Sequence, residues 1–222
     1  MVPTQQLNEL IHLIETEDRH GQPWSEESFA KLGEHVAALQ PLTQVPAPVD
    51  APEAISGRWE TLFAHFGARH SAGKPKVHDS NLKVHSFNRF PPSPIRVLRM
   101  CQEIDAATAA YNNVVDISAP GPDGNAVHGT LIVHGRYRGE DADRQRFDVE
   151  FHRIELRPGE GVSEAEFRQA IAFGPADPLV AELKPPRLHS NVVYLDDTYR
   201  INIGSLGGLY VLRRLAEPAV SC

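Results

Sequence analysis

The hydrophobic period of this chain changes once, and that change constrains the fold more than any other feature. Leu7, Leu10, Ile11 and Ile14 recur at i, i+3, i+4 and i+7, one face of an amphipathic helix running from Thr4 to near Gly21. Ser25 is an N-cap candidate for a second helix that carries Phe29, Leu32, Val36 and Leu39 on one side and stops at Pro41. The segment "PLTQVPAPVDAPE", residues 41–53, is proline-rich and aperiodic, and reads as an extended linker. Beyond it apolar residues alternate at every second position, beginning with "GRWETLFAHF", where Trp59, Thr61 and Phe63 would share one face.

Further strand candidates are "NNVVDIS", "GTLIVHGRYR", "RFDVEFHRIEL", "NVVYL", "YRINIG" and "GLYVLRRL", separated by turn-rich pieces such as "APGPDGN" and "RGEDADR". One helix interrupts them: "SEAEFRQAIAF" opens with Ser163 and Glu166 in capping-box spacing. Many antiparallel-looking strands favour a closed barrel, because closure removes the exposed edges that invite aggregation. The expected fold is therefore mainly β, an antiparallel barrel with an N-terminal helical pair and one short late helix. The expected boundaries are a helical extension over residues 1–40, the linker 41–53, the barrel 54–216 and a tail 217–222.

Composition excludes several function classes. A formal net charge of −7 argues against a phosphate-tracking surface, so no nucleic acid partner is expected. No run approaches the roughly 18 apolar residues of a membrane-spanning helix. The first residues are too polar for a secretory segment and too acidic for an organelle transit peptide, which gives a cytoplasmic expectation with a membrane surface as a peripheral address. Cys101 and Cys222 are the only cysteines, too few for a disulfide framework or a cysteine zinc site. Of eleven histidines, His65 with His70 and His128 with His134 are the closest pairs, and neither has a recognised ligand spacing, so no metal and no cofactor is expected. No phosphate-cradling glycine motif follows a strand, since Gly204, Gly207 and Gly208 read as hairpin turn residues.

A small barrel is either filled by its own side chains or left wide enough for one small ligand. Phe147, Val149 and Phe151 line one side of their strand, opposite Asp148, Glu150 and His152; Leu131 and Val133, and Tyr199, Ile201 and Ile203, repeat the alternation. An inner wall of this kind suits a lipid or an isoprenoid, and the same alternation equally builds a ligand-free core. The segment "SFNRFPPSPIRVLR", residues 86–99, combines Phe87 and Phe90 with Arg89, Arg96 and Arg99. It reads as an ordered crossing loop, with a lid over the barrel mouth or a contact for an anionic membrane as the alternatives.

Five segments, in order, resemble the plastid lipid-associated protein family, PAP/fibrillin. "ISGRWETLFAHF" is similar to that family's "L-x-G-x-W-x-L-x-Y" strand, and "CQEIDAATAAYNNVV" to its "Q-x-I-D" and "N-x-V" segment. "FDVEFHRIEL" resembles the "V-x-F" strand, "VVYLDDTYRINIG" the "T-Y-L-D-x-x-L-R-I-x-R-G" motif, and "GGLYVLRR" the closing "G-x-L-F-V-L" strand. The resemblance spans residues 55–215. It implies a lipocalin-like (calycin) barrel and an association with lipids, and it looks like a bacterial-type member because a transit peptide is missing. Tyr199 stands where the family usually has leucine, and Asn202 and Ile203 precede Gly204 where it often has a basic residue.

The resemblance also implies roles. Gly57 and Trp59 match the G-x-W of calycin barrels, in which an arginine from a late strand packs over the tryptophan; Arg200 is the matching arginine and Arg213 the fallback. A guanidinium can stack on indole while donating to carbonyls, which lysine does poorly. Asp196, four residues earlier, is expected to hold that fork as a structural charged pair with Arg200, or, together with it, to anchor a ligand head group.

The reading that follows is non-catalytic binding or carriage of an apolar small molecule. Trp59, Phe63, Val133, Phe147, Val149, Phe151, Ile201 and Arg200 are the ligand-binding candidates, and no residue is assigned to catalysis. One alternative is a barrel isomerase or cyclase using Asp196, Tyr194 or His189 as acid or base. The other is an adaptor that docks a biosynthetic enzyme through Leu7, Leu10, Phe29 and Leu32.

Overall fold

The computed structural model describes residues 5–20, 24–65, 80–184 and 187–216. The chain is mainly β, an antiparallel barrel in the strand order β1-β10-β9-β8-β6-β5-β4-β3-β2, with an additional β1–β3 pairing and β7 beside β6. The strands are β1 (Gly57–His65), β2 (Ser80–Asn81), β3 (Pro94–Asp105), β4 (Ala110–Pro120), β5 (Ala126–Gly139), β6 (Arg146–Pro158), β7 (Val180–Glu182), β8 (Leu188–Leu195), β9 (Tyr199–Gly204) and β10 (Leu209–Arg214). The helices are α1 (Gln5–His20), α2 (Glu26–Leu39), α3 (Pro52–Ile55), α4 (Leu82–His85) and α5 (Glu164–Ala170). The expected helical pair, late helix and barrel are all present. His70, Gly21, Cys222 and the tail from 217 fall outside the described residues.

The chain divides into two compact units, each assembled from separated segments: residues 1–75, 138–148 and 188–222 form one, and 76–137 and 149–187 the other. In the first unit α1 and α2 lay their apolar stripes on the sheet. Leu7, Leu10, Ile14, Trp24, Leu32, Val36 and Leu39 form one cluster with Phe63, Val193, Tyr194, Ile201 and Val211. Each buried aliphatic side chain contributes about 1.5–3 kcal/mol, so this cluster fixes the helices to the strands. Ser25 caps α2, its Oγ accepting from the Ser28 amide at 3.0 Å, and Glu26 and Glu27 lie at the positive end of the helix dipole. The Ser28 hydroxyl donates to Glu17 Oε1 of α1 at 2.8 Å, which ties the two helices together.

The proline-rich segment is held down rather than left as a free tether. The Gln44 amide donates to the Leu195 carbonyl at 3.0 Å, the Thr43 hydroxyl oxygen accepts from the Leu195 amide at 3.0 Å, and the Val49 amide donates to the Arg144 carbonyl at 3.1 Å. Its prolines start short 3₁₀ turns at Gln40–Leu42 and Pro48–Asp50, as expected of residues with fixed φ at the first helical positions.

A bulge in β1 sets the faces of this unit. Trp59 pairs with Arg214 and Thr61 with Leu212, but Phe63 pairs with Val211, the next residue rather than the next but one. The extra residue turns Phe63 over, so it joins the helix-covered cluster while Trp59 and Thr61 face the other way. Strict alternation puts all three on one face, which the bulge corrects. β8 carries a second bulge, between Val192 and Tyr194.

In the second unit β3, β4 and β5 pair in antiparallel register, Met100 with Val115 and Val115 with Leu131. The expectation of a crossing loop or lid over residues 86–99 is corrected here, since the strand β3 begins at Pro94. Two signals hid it: proline at the first strand position, and a bulge between Val97 and Arg99 that breaks the alternation. Arg99 is bonded to Asp116 at 2.7 Å. α5 starts at its expected cap, Ser163, and Phe167 packs on Gly129, where a Cβ would collide with the ring. Phe87, at φ 52, and Asn88, at φ 59, are left-handed and bring the Phe87 ring to 5.5 Å from Phe151.

Candidate functional site

The first unit has a tryptophan held between two arginines. Trp59 is fully buried, and its Nε1 donates to the Ile55 carbonyl at 2.8 Å. The Arg200 guanidinium carbon lies 4.7 Å from the ring centroid and that of Arg214 lies 4.0 Å from it. Arg214 also donates to three carbonyls, those of Asp197, Ser56 and Ala54. Burial lowers its pKa from the ordinary guanidinium value, and the carboxylates of Asp197 and Asp196 oppose that shift. Gly57, at φ 115, runs its backbone beside Arg214, where a Cβ would sit 3.0 Å from the guanidinium.

Of the two arginines the sequence offered for this place, Arg200 and the fallback Arg213, Arg200 lies over the Trp59 ring. Arg213 is half-exposed and pairs with Glu60 at 2.6 Å. The partner that sequence reasoning missed is Arg214, whose signal was its place opposite Trp59 in the final strand.

Asp196 organises the β8–β9 turn. Its Oδ1 accepts from the amides of Thr198 at 2.7 Å and Tyr199 at 2.6 Å, and its Oδ2 accepts from the Tyr194 hydroxyl at 2.6 Å. Burial first, and then the Asp196 carboxylate, push the Tyr194 hydroxyl far above the ordinary phenol pKa, so Tyr194 stays a neutral donor. His189, the third residue of the catalytic alternative, is tied elsewhere: its amide donates to Ser205 Oγ at 2.8 Å and its Nδ1 lies 3.3 Å from the same oxygen.

The candidate ligand wall divides. Phe63 and Ile201 belong to the cluster beneath α1 and α2, on the sheet face opposite Arg200. Phe147 is buried in the first unit, and Val133, Val149 and Phe151 are buried in the second. Alternation along β9 was read with the right period and the opposite side: the apolar Ile201 meets the helices, and the polar residues Arg200 and Asn202 share the other face. The adaptor candidates Leu7, Leu10 and Leu32 are buried in the helix-sheet cluster, so they present no docking surface while the helices are seated.

The face opposite the α1–α2 cluster carries the feature sequence reasoning overlooked. Asn202 is 1% exposed and its Oδ1 has no hydrogen-bond partner; Thr61, 5% exposed, has an unpartnered Oγ1. The two sit on adjacent rows of one face, Thr61 opposite Leu212 and Asn202 opposite Tyr210, with Arg200 in the row of Thr61. Their signal was present, since Thr61 is two residues from Trp59 and Asn202 two from Arg200. Among the described residues no cluster of three or more His, Cys, Asp or Glu side chains could hold a metal ion, and no helix is long and apolar enough to cross a membrane.

An antiparallel barrel whose first strand presents a buried tryptophan to two arginines from its last strands, with buried polar atoms on the same face, defines a small mainly-β barrel class. The PAP_fibrillin family model matches residues 4–213, nearly the whole chain, and the protein belongs to that family. No curated protein and no solved structure matches the chain significantly.

Proposed function

We propose that the protein binds and carries an apolar small molecule, a lipid or isoprenoid-like compound, without transforming it. The observation that carries this reading is the pair of buried, unpartnered polar atoms, Asn202 Oδ1 and Thr61 Oγ1, on the sheet face opposite the α1–α2 cluster. An unsatisfied buried polar group costs about 1–3 kcal/mol, and a ligand that supplies its hydrogen bond removes that cost. Membership in the PAP_fibrillin family and the barrel topology are consistent with an apolar ligand. The hydrogen bonds of Tyr194 and Asp196 within the β8–β9 turn support a structural role for that pair. Carriage in the cytoplasm or at a membrane surface, with the apolar molecule as the partner, completes the proposal.

The test is purification of the full chain, organic extraction and mass spectrometry. A co-purifying apolar molecule in the wild type, reduced in Asn202→Leu and Thr61→Val at equal folded fraction, supports carriage. A protein that co-purifies with nothing and takes up none of a set of added lipids, quinols and prenyl alcohols sinks it.

A further inference from the structure

We propose that the Phe87 ring is a built-in occupant of an aromatic site in the second unit, and that the carried molecule binds there by displacing it with a ring of its own; this rests on the carriage reading above. The floor of that site is fixed. Phe151 and Tyr111, each 5% exposed, meet edge to face with their ring centroids 6.3 Å apart. The Tyr111 hydroxyl donates to the buried Gln102 Oε1 at 2.9 Å. Gly135 lets the Phe151 ring lie against the β5 backbone, where a Cβ would come within 2.8 Å of it. Phe87 covers this floor, its ring centroid 5.5 Å from that of Phe151, and yet it is itself 37% exposed.

The cover is mounted differently from the floor. Phe87 and Asn88 are left-handed, at φ 52 and φ 59, a conformation that bulky side chains avoid. Three hydrogen bonds hold the turn in it: the Asn88 amide donates to the Lys83 carbonyl at 3.1 Å, the Arg89 amide to the Ser86 carbonyl at 2.9 Å, and the Phe90 amide to Ser86 Oγ at 3.2 Å. Ser86 and Phe90, both buried, pin the turn on either side. Backbone strain of this kind concentrates at ligand clamps and switches, and here it aims one half-exposed ring at Phe151. The ring swings out on its own side-chain bonds while the turn stays tied, and the space it leaves is ring-sized and floored by aromatic faces. Ring pairs contribute beyond the area they bury, so this floor favours an aromatic replacement over a saturated one.

The experiment measures the calorimetric affinity and stopped-flow association of phenyloctanol and cyclohexyloctanol, which differ only in ring unsaturation, with delipidated full-length wild type and Phe87→Ala. Hydrophobicity alone favours the cyclohexyl probe, whereas displacement predicts tighter binding of the phenyl probe. Phe87→Ala should tighten phenyloctanol binding by about two- to tenfold, through faster association, because the competing ring is gone. A Phe87 that only lined a site would lose affinity on truncation. Para-fluorophenylalanine in place of Phe87 gives a second readout should the alanine variant fail to fold: phenyloctanol should move the fluorine resonance toward that of the label in a solvent-exposed peptide. Equal or reversed order of the two alcohols, unchanged or weaker binding in Phe87→Ala, or an unmoved fluorine signal with the probe bound overturns the displacement and leaves carriage standing. Binding of neither alcohol to either protein overturns both.

Discussion

At the scale of single residues, the two neighbouring arginines of β10 separate structure from surface. Arg214 makes three hydrogen bonds to carbonyls and covers the Trp59 ring, so Arg214→Lys, which keeps the charge but not the planar fork, should cost about 2–4 kcal/mol. Arg213→Lys, at a half-exposed pair with Glu60, should stay within about 0.5 kcal/mol. Urea denaturation of both variants checks the contrast. The sequence made Trp59 and Arg200 legible because a G-x-W strand start and a late arginine are local marks. It left Arg214 unread because two adjacent arginines at a strand end differ only in the face each takes, and that depends on register. Glu155 offers a pH test. Its carboxyl is held below the ordinary glutamate value of 4.5, first by the Arg157 hydrogen bond and further by His134 and Arg153, against the opposing effect of burial. Its ionised form therefore stabilises the fold above that ordinary value, and the contribution is lost as pH falls through the lower folded value. Glu155→Gln should lower the melting temperature at pH 7 and converge on the wild type in acid, where both side chains are neutral.

At the scale of elements, helix α1 and helix α5 meet their strands in different ways. α1 contributes fully buried leucines, so Leu10→Ala should destabilise by about 2–5 kcal/mol, followed through the fluorescence of Trp24, which packs 4.7 Å from Phe63. α5 needs a gap instead. Gly129→Ala puts a methyl group into the Phe167 ring and should cost about 1–3 kcal/mol, with faster amide exchange across Glu164–Ala170 as the local sign. The helices were readable because their caps are short-range: Ser25 and Ser163 each accept from an amide three residues on. The faces of the strands were not, because bulges at Leu62 and Val193 are decided by pairing between distant segments. β9 and β10 pair without interruption, so the irregularity falls on the strands flanking them.

For the whole molecule, charge is the property composition settles best. With a formal net charge of −7 and a sequence pI near 5.9, the protein should bind an anion exchanger at pH 7.5 and reach minimal solubility near pH 5.9, where self-repulsion vanishes; turbidity against pH measures this. The division into units was less legible, because an aperiodic proline-rich stretch marks a connection without saying whether it is loose. Thr43 and Gln44 hold theirs to Leu195, and the unit containing the helices also takes in the last three strands. That interleaving has a consequence for synthesis. When β1 leaves the ribosome, the strand β10 that is to pair with Phe63 and Trp59 has not been translated, and at 5–20 residues per second it follows roughly 7–29 s later. Through that interval the nascent chain carries a bare greasy helical pair and an unmatched indole, a natural client for a holdase. A messenger cut short before Leu209 leaves Trp59 and Phe63 without the strand that is to pair with them.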